Sequence, residues 1–93
     1  MKEGYKELIE AVVKQEKKIV KDVAITSVNR IEGVEVDEDG NVERLDREGD
    51  KVFRDIYKRY KEIGFGTARV IIKKAIKPVI EEYPELDIPE ELK

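Results

Sequence analysis

Apolar residues recur at helical spacing over three stretches of this chain. Tyr5, Leu8, Ile9, Val12 and Val13 follow the i, i+3, i+4 rule, and Ile19, Val20, Val23, Ala24, Val28 and Ile31 continue it. The pattern predicts one long amphipathic helix over residues 3–32, ending at Gly33, which takes the left-handed C′ conformation at little cost. Residues 23–28, Val-Ala-Ile-Thr-Ser-Val, also suit a strand, because Ile and Val together number 22 against four Leu. No break separates them from the lysine-rich stretch before, which favours helix and leaves strand as the alternative.

Residues 33–49 read as a short acidic hairpin or loop. Val34 and Val36 alternate with acids, Asp37-Glu38-Asp39-Gly40-Asn41 is turn chemistry, and Val42 resumes the apolar pattern. Residues 50–63 give the cleanest stripe: Val52, Phe53, Ile56, Tyr57, Tyr60 and Ile63, with Asp50 suited to the N-cap and Gly64 to the C′ position. In that ending Phe65 packs back on Tyr60. A further helix is predicted over residues 66–83, kinked or restarted near Pro78, which has no N–H and crowds the carbonyl of Lys74. Pro84 ends it. An acidic tail, 84–93, follows, with Leu86, Ile88 and Leu92 spaced to touch the body.

The class is therefore all-α, mainly helical, in a single domain. The lengths do not match. A helix of about 28 residues spans roughly 42 Å, and one of about 14 covers half of it. Two chains pairing into an intermolecular helical bundle would bury the remainder, so a homodimer is the expected partner state. The core and interface are expected to draw on Leu8, Ile9, Val12, Ile19, Val23, Phe53, Ile56, Tyr57, Tyr60, Ile72, Ile76 and Val79.

Composition narrows the chemistry. The 93 residues contain no His and no Cys. That excludes an imidazole base, a catalytic triad, thiolate nucleophiles, zinc–thiolate sites and disulfides. Pairs such as Glu7 and Glu10, Asp22 and Lys18, or Tyr57 and Lys61 could be helix neighbours, but none is distinctive among 22 acids. A non-enzyme without a cofactor is expected. No apolar run approaches the roughly 20 residues needed to span a bilayer, and the start has no signal-peptide core, so the expected compartment is the cytoplasm. Charged residues make up 44% of the chain, with one Gln and two Asn, a thermophile-like balance.

Charge is segregated rather than mixed. Residues 1–30 carry +2, residues 31–50 carry -7, residues 51–80 carry +7 and residues 81–93 carry -5. The basic block holds Lys51, Arg54, Lys58, Arg59, Lys61, Arg69, Lys73, Lys74 and Lys77, interleaved with Tyr57, Tyr60 and Phe65. Arg54, Lys58, Arg59, Lys61, Arg69, Lys73 and Lys74 are candidates for binding nucleic acid or an acidic partner. Nucleic acid is not favoured, because the aromatics fall on the apolar stripe and the isoelectric point is near 5.2. The flanking acids are natural partners for the block within the protein. Lys14, Lys17, Lys18 and Lys21 form a second cluster, read as a solvated face.

Gly64, Gly66, Thr67 and Arg69 lie at a predicted helix N-terminus, where free N–H groups can hold an anion; a tight helix connection is the plainer reading. The run Glu35-x-Asp37-x-Asp39-Gly40-x-Val42-Glu43-x-x-Asp46 in part resembles the EF-hand calcium loop. It departs at the first position, Glu35, at the twelfth, Asp46, and in the Gly33-Val34 interruption. An acidic turn is expected there, with no metal. The resulting functional expectation is a self-associating helical binding or scaffold protein, with a nucleic-acid-associated or regulatory module as the alternative.

Overall fold

The computed structural model describes residues 2–64 and 67–93. Among these residues there are four α-helices and one two-stranded hairpin. Helix α1 spans Lys2–Val20 and α2 spans Asp22–Asn29. Strands β1, Val34–Val36, and β2, Val42–Leu45, follow. Helix α3 spans Gly49–Gly64 and α4 spans Thr67–Glu82, and a 3-10 turn at Glu90–Leu92 closes the tail. The molecule is mainly helical.

The long helix expected over residues 3–32 is two helices. Lys21 breaks it, with φ 58° and ψ -134°. Charge flanks the break as helix ends prefer: Lys17 and Lys18 lie in the last turn of α1 and Asp22 in the first turn of α2. The 23–28 segment is helical within α2. The break lets α2 turn so that Ala24 and Val28 become fully buried. Tyr60 of α3 then donates its hydroxyl to the Ala24 carbonyl at 2.8 Å. The cost is a lysine in a backbone region that glycine occupies far more easily. Lys21→Gly is expected to stabilise the fold by about 1 kcal/mol, read as a higher urea midpoint with unchanged slope.

The break also removes the length mismatch. Helix α1 has 19 residues and α4 has 16. They lie antiparallel: Gly4 sits against Tyr83 and Leu86, and Tyr83 donates its hydroxyl to Glu7. The core joins both helices to α3 through Leu8, Ile9, Val12, Phe53, Ile56, Tyr60, Ile72 and Ile76, all fully buried, with Tyr57 and Val79 nearly so. Ile19 and Val23 stand outside it, 50% and 49% exposed, because the turn at Lys21 takes them off the buried stripe.

Residues 33–49 contain a genuine hairpin. Its register pairs Val34 with Leu45, Glu35 with Arg44 and, past a bulge, Val36 with Val42. Side chains from the helices finish its edges. The Asn29 amide both donates to the Val36 carbonyl at 3.1 Å and accepts from its N–H at 2.8 Å. Glu10 accepts from the Val42 N–H at 2.8 Å. Gly40, at φ 88°, lies where a Cβ would come within 3.0 Å of the Lys14 side chain. Its bareness lets the turn lie on α1.

Helix α3 starts one residue earlier than its expected cap. The Glu48 carbonyl accepts from the N–H groups of Lys51 and Val52. Asp50 is in the first turn, where its charge still meets the helix dipole. Helix α4 runs through Pro78 without a restart. Pro78 is exposed, on the side where water can serve the carbonyl of Lys74 left without its helical N–H. No described helix is long and apolar enough to cross a membrane.

Candidate binding surface

The basic block does not behave as one unit. On α3 four of its five cations are paired. Arg54 contacts Asp87 at 3.0 Å, Lys61 contacts Glu91 at 3.1 Å, Arg59 reaches Glu62 at 3.8 Å and Lys51 reaches Glu48 at 3.6 Å. Two of these partners, Asp87 and Glu91, come from the acidic tail. The tail is held beside α3 by its own apolar residues, since Leu86, Ile88 and Leu92 are buried, and the Asp87 N–H donates to the Tyr5 hydroxyl at 2.9 Å. The Lys61 hydrogen bond holds the Glu91 carboxyl below its ordinary range. Lys61 also lies 4.6 Å from the centre of the Tyr57 ring, a cation–π distance.

On α4 the cations are left alone. Among the described residues, Lys73, Lys74 and Lys77 have no carboxylate within ion-pair distance, and Lys58 of α3 joins them. Lys73 and Lys77 are four residues apart on one helical face, a like-charge spacing that costs about 0.2–0.5 kcal/mol. Arg69 is intermediate: its guanidinium approaches the Glu91 carbonyl at 3.4 Å. The acidic segment 31–50 does not serve these lysines. Its pairs are local, as in Arg44 with Asp46 and Glu35, or reach the first turns of α3, as in Glu48 with Lys51 and Arg47 with Asp55.

Beside these lysines a groove of about 490 Å³ runs between α4 and the tail. Ile80, Leu86, Ile88 and Leu92 line its apolar part, while Lys73, Lys77 and Lys93 line its rim with Glu81. On the other side of α4, Gln15 of α1 faces Val70, Ile71, Lys74 and Ala75 across a second cleft of about 430 Å³. Val70 is 62% exposed, and Ile19 lies one turn along α1 from Gln15.

Two of the aromatics interleaved with the basic residues, Tyr57 and Tyr60, face inward. Tyr57 and Tyr60 are buried, and burial pushes the Tyr57 phenol up to about 12 and raises that of Tyr60 further. Phe65 and Gly66 lie outside the described residues. The remaining anion-site candidates are not gathered around an open helix end. Thr67 donates its hydroxyl back to the Gly64 carbonyl at 2.6 Å, and Arg69 turns to the tail.

The acidic turn is closed on itself. The Asp37 carboxylate accepts N–H groups from Asp39 and Asn41, both at 2.9 Å, and these hydrogen bonds, Asn41 first, lower its pKa. Lys17 reaches across to the Glu38 carbonyl at 2.6 Å, and Lys14, Lys18 and Lys21 stand beside the turn with it. Among the described residues no three acidic side chains are placed to share a metal ion.

The groove, with Lys77, Ile80 and Lys93, escaped the sequence reading of the site. Periodicity locates the buried face of a helix, but it does not say where an irregular tail will lie. Pro84 followed by Leu86, Ile88 and Leu92 was the available signal. No protein-family model, curated protein or solved structure matches this chain.

Proposed function

We propose that this chain is a non-enzymatic binding and scaffold protein that docks an acidic partner on the outer face of α4, centred on Lys73, Lys74 and Lys77. One observation carries the reading: the tail carboxylates Asp87 and Glu91 pair with Arg54 and Lys61 of α3, while among the described residues Lys73, Lys74 and Lys77 of α4 have no carboxylate within ion-pair distance. Free charge on a face steers association with a surface of opposite sign. The nucleic-acid alternative is less well supported. Tyr57 and Tyr60, two of its stacking candidates, are buried, and four of its seven candidate cations, Arg54, Arg59, Lys61 and Arg69, already contact acids or carbonyls.

The test is fluorescence anisotropy with an acidic peptide and with duplex and single-stranded nucleic acid, at low and moderate salt. The acidic peptide is expected to bind with steep salt dependence, and reversing the three lysines (K73E, K74E, K77E) is expected to weaken it about tenfold or more. Tighter binding of nucleic acid than of the acidic peptide would overturn the proposal.

Self-association is a second reading, favoured by the exposed aliphatics Ile19, Val23 and Val70. Sedimentation velocity over a broad concentration range tests it. A dimer abolished by Ile19→Glu or Val70→Glu is the expected result, and a monomer throughout removes the reading.

A further inference from the structure

We infer that the groove between α4 and the tail receives an acidic amphipathic helix of the partner protein, apolar side chains on its floor and carboxylates on its lysine rim. This rests on the proposal that α4 docks an acidic partner, and it adds where and in what form.

The floor and rim have complementary demands. Leu86, Ile88 and Leu92 are buried in the fold yet present an edge to the groove, and Ile80 is only half-buried there. An occupant must therefore offer apolar side chains. Lys73 and Lys77 stand at the lip without carboxylates, whereas Arg54 and Lys61 of α3 are each paired with a carboxylate of the tail. The third rim lysine, Lys93, touches only Glu90, at 3.7 Å. An occupant must also offer negative charge, and more of it than Glu81 on the same rim supplies. A neutral apolar ligand meets the first demand alone, and a nucleic acid meets the second alone.

Length and backbone chemistry select a helix. The groove follows α4 from Lys73 to Glu81, about 12 Å at the rise of a helix, or a little over two turns. It is lined by a helix flank and by side chains of the tail, with no strand edge beside it. An extended peptide would find no ladder for its N–H and C=O groups, while a helix satisfies its own. Apolar positions at i, i+3 or i+4, and i+7 would meet the floor, with Glu or Asp on the flank toward Lys73 and Lys77. The Gln15–Val70 cleft does not compete on these terms, since Lys74 is the one charge in it.

The experiment titrates the full chain, labelled with nitrogen-15, with a synthetic three-turn helix carrying Leu at those positions and Glu on one flank. Peptides with the Glu replaced by Gln or by Lys, and vesicles rich in phosphatidylglycerol, are run beside it. Expected are amide shifts at Ile80, Leu86, Ile88 and Leu92, affinity falling in the order Glu, Gln, Lys, and about tenfold weaker binding to K73E/K77E. Ile80→Glu, at a half-buried position, should abolish the shifts, with circular dichroism run to show that its fold is retained and K73E/K77E as the surface variant that does not touch the core. Glu-peptide shifts confined to Gln15, Val70 and Ala75 would overturn the groove while sparing the acidic-partner reading. Failure of every acidic peptide to bind would overturn both. Tighter occupation of the same residues by the anionic vesicles would overturn the helical protein occupant.

Discussion

Tyr60→Ala is expected to destabilise the protein by about 3–5 kcal/mol and to lower its melting temperature by roughly 15–30 °C. The ring is fully buried in the core, and its hydroxyl is a polar link from α3 to α2. Two separate losses are combined in that figure. Tyr60→Phe keeps the ring and removes the hydrogen bond to the Ala24 carbonyl, and is expected to cost about 1 kcal/mol. Calorimetry on the two variants divides the total. Equal effects would show that the hydroxyl, and not the ring, holds α2 in place. For a domain whose whole stability is of the order of 5–15 kcal/mol, the alanine variant will lie near the edge of folding.

Glu16→Leu is expected to stabilise the protein at neutral pH by about 1–2 kcal/mol. Glu16 is 3% exposed on the buried face of α1, and one of its carboxylate oxygens has no hydrogen-bond partner. The Tyr60 hydroxyl is committed elsewhere, to Ala24. Burial raises the Glu16 pKa. The native state therefore keeps this proton to a higher pH than the unfolded chain does. Its contribution to stability is complete below the ordinary carboxyl range and is lost as pH rises through the raised value. Urea denaturation from pH 4 to 8 should show that decline in the wild type and a flatter dependence in Glu16→Leu. Glu16→Gln keeps the size and removes the titration, so a persisting decline in that variant would assign the pH dependence to other groups.

Much of the buried face was readable because α3 and α4 keep strict helical periodicity: Phe53, Ile56, Tyr60, Ile72 and Ile76 are interior where their spacing puts them. The break at Lys21 was not readable in the same way. Helix breaks are recognised by Gly or Pro, and neither occurs between Tyr5 and Gly33. The weaker sign was electrostatic, two lysines ending one helix and Asp22 beginning the next. Missing it carried Ile19 and Val23 onto the wrong face and produced a helix twice the length of its neighbours. The charge blocks were plain in the sequence, but their pairing depended on the tail. Only after Leu86, Ile88 and Leu92 anchor it do Asp87 and Glu91 face α3 and leave α4 bare.

The tie between residues 4–7 and residues 83–87 has a consequence for synthesis. Gly4 lies under Tyr83 and Leu86, and Tyr5 accepts the N–H of Asp87, a contact across 82 positions. Helix α1 therefore emerges from the ribosome long before the surface that covers it. Its apolar stripe can rest on α3 once Tyr60 has been made, but the α4 side stays open until the ribosome has passed residue 87. A nascent chain stalled between those points will present Leu8 and Ile9 to solvent and to holdase chaperones, and its last folding step will be gated by translation rather than by the intrinsic speed of helix formation.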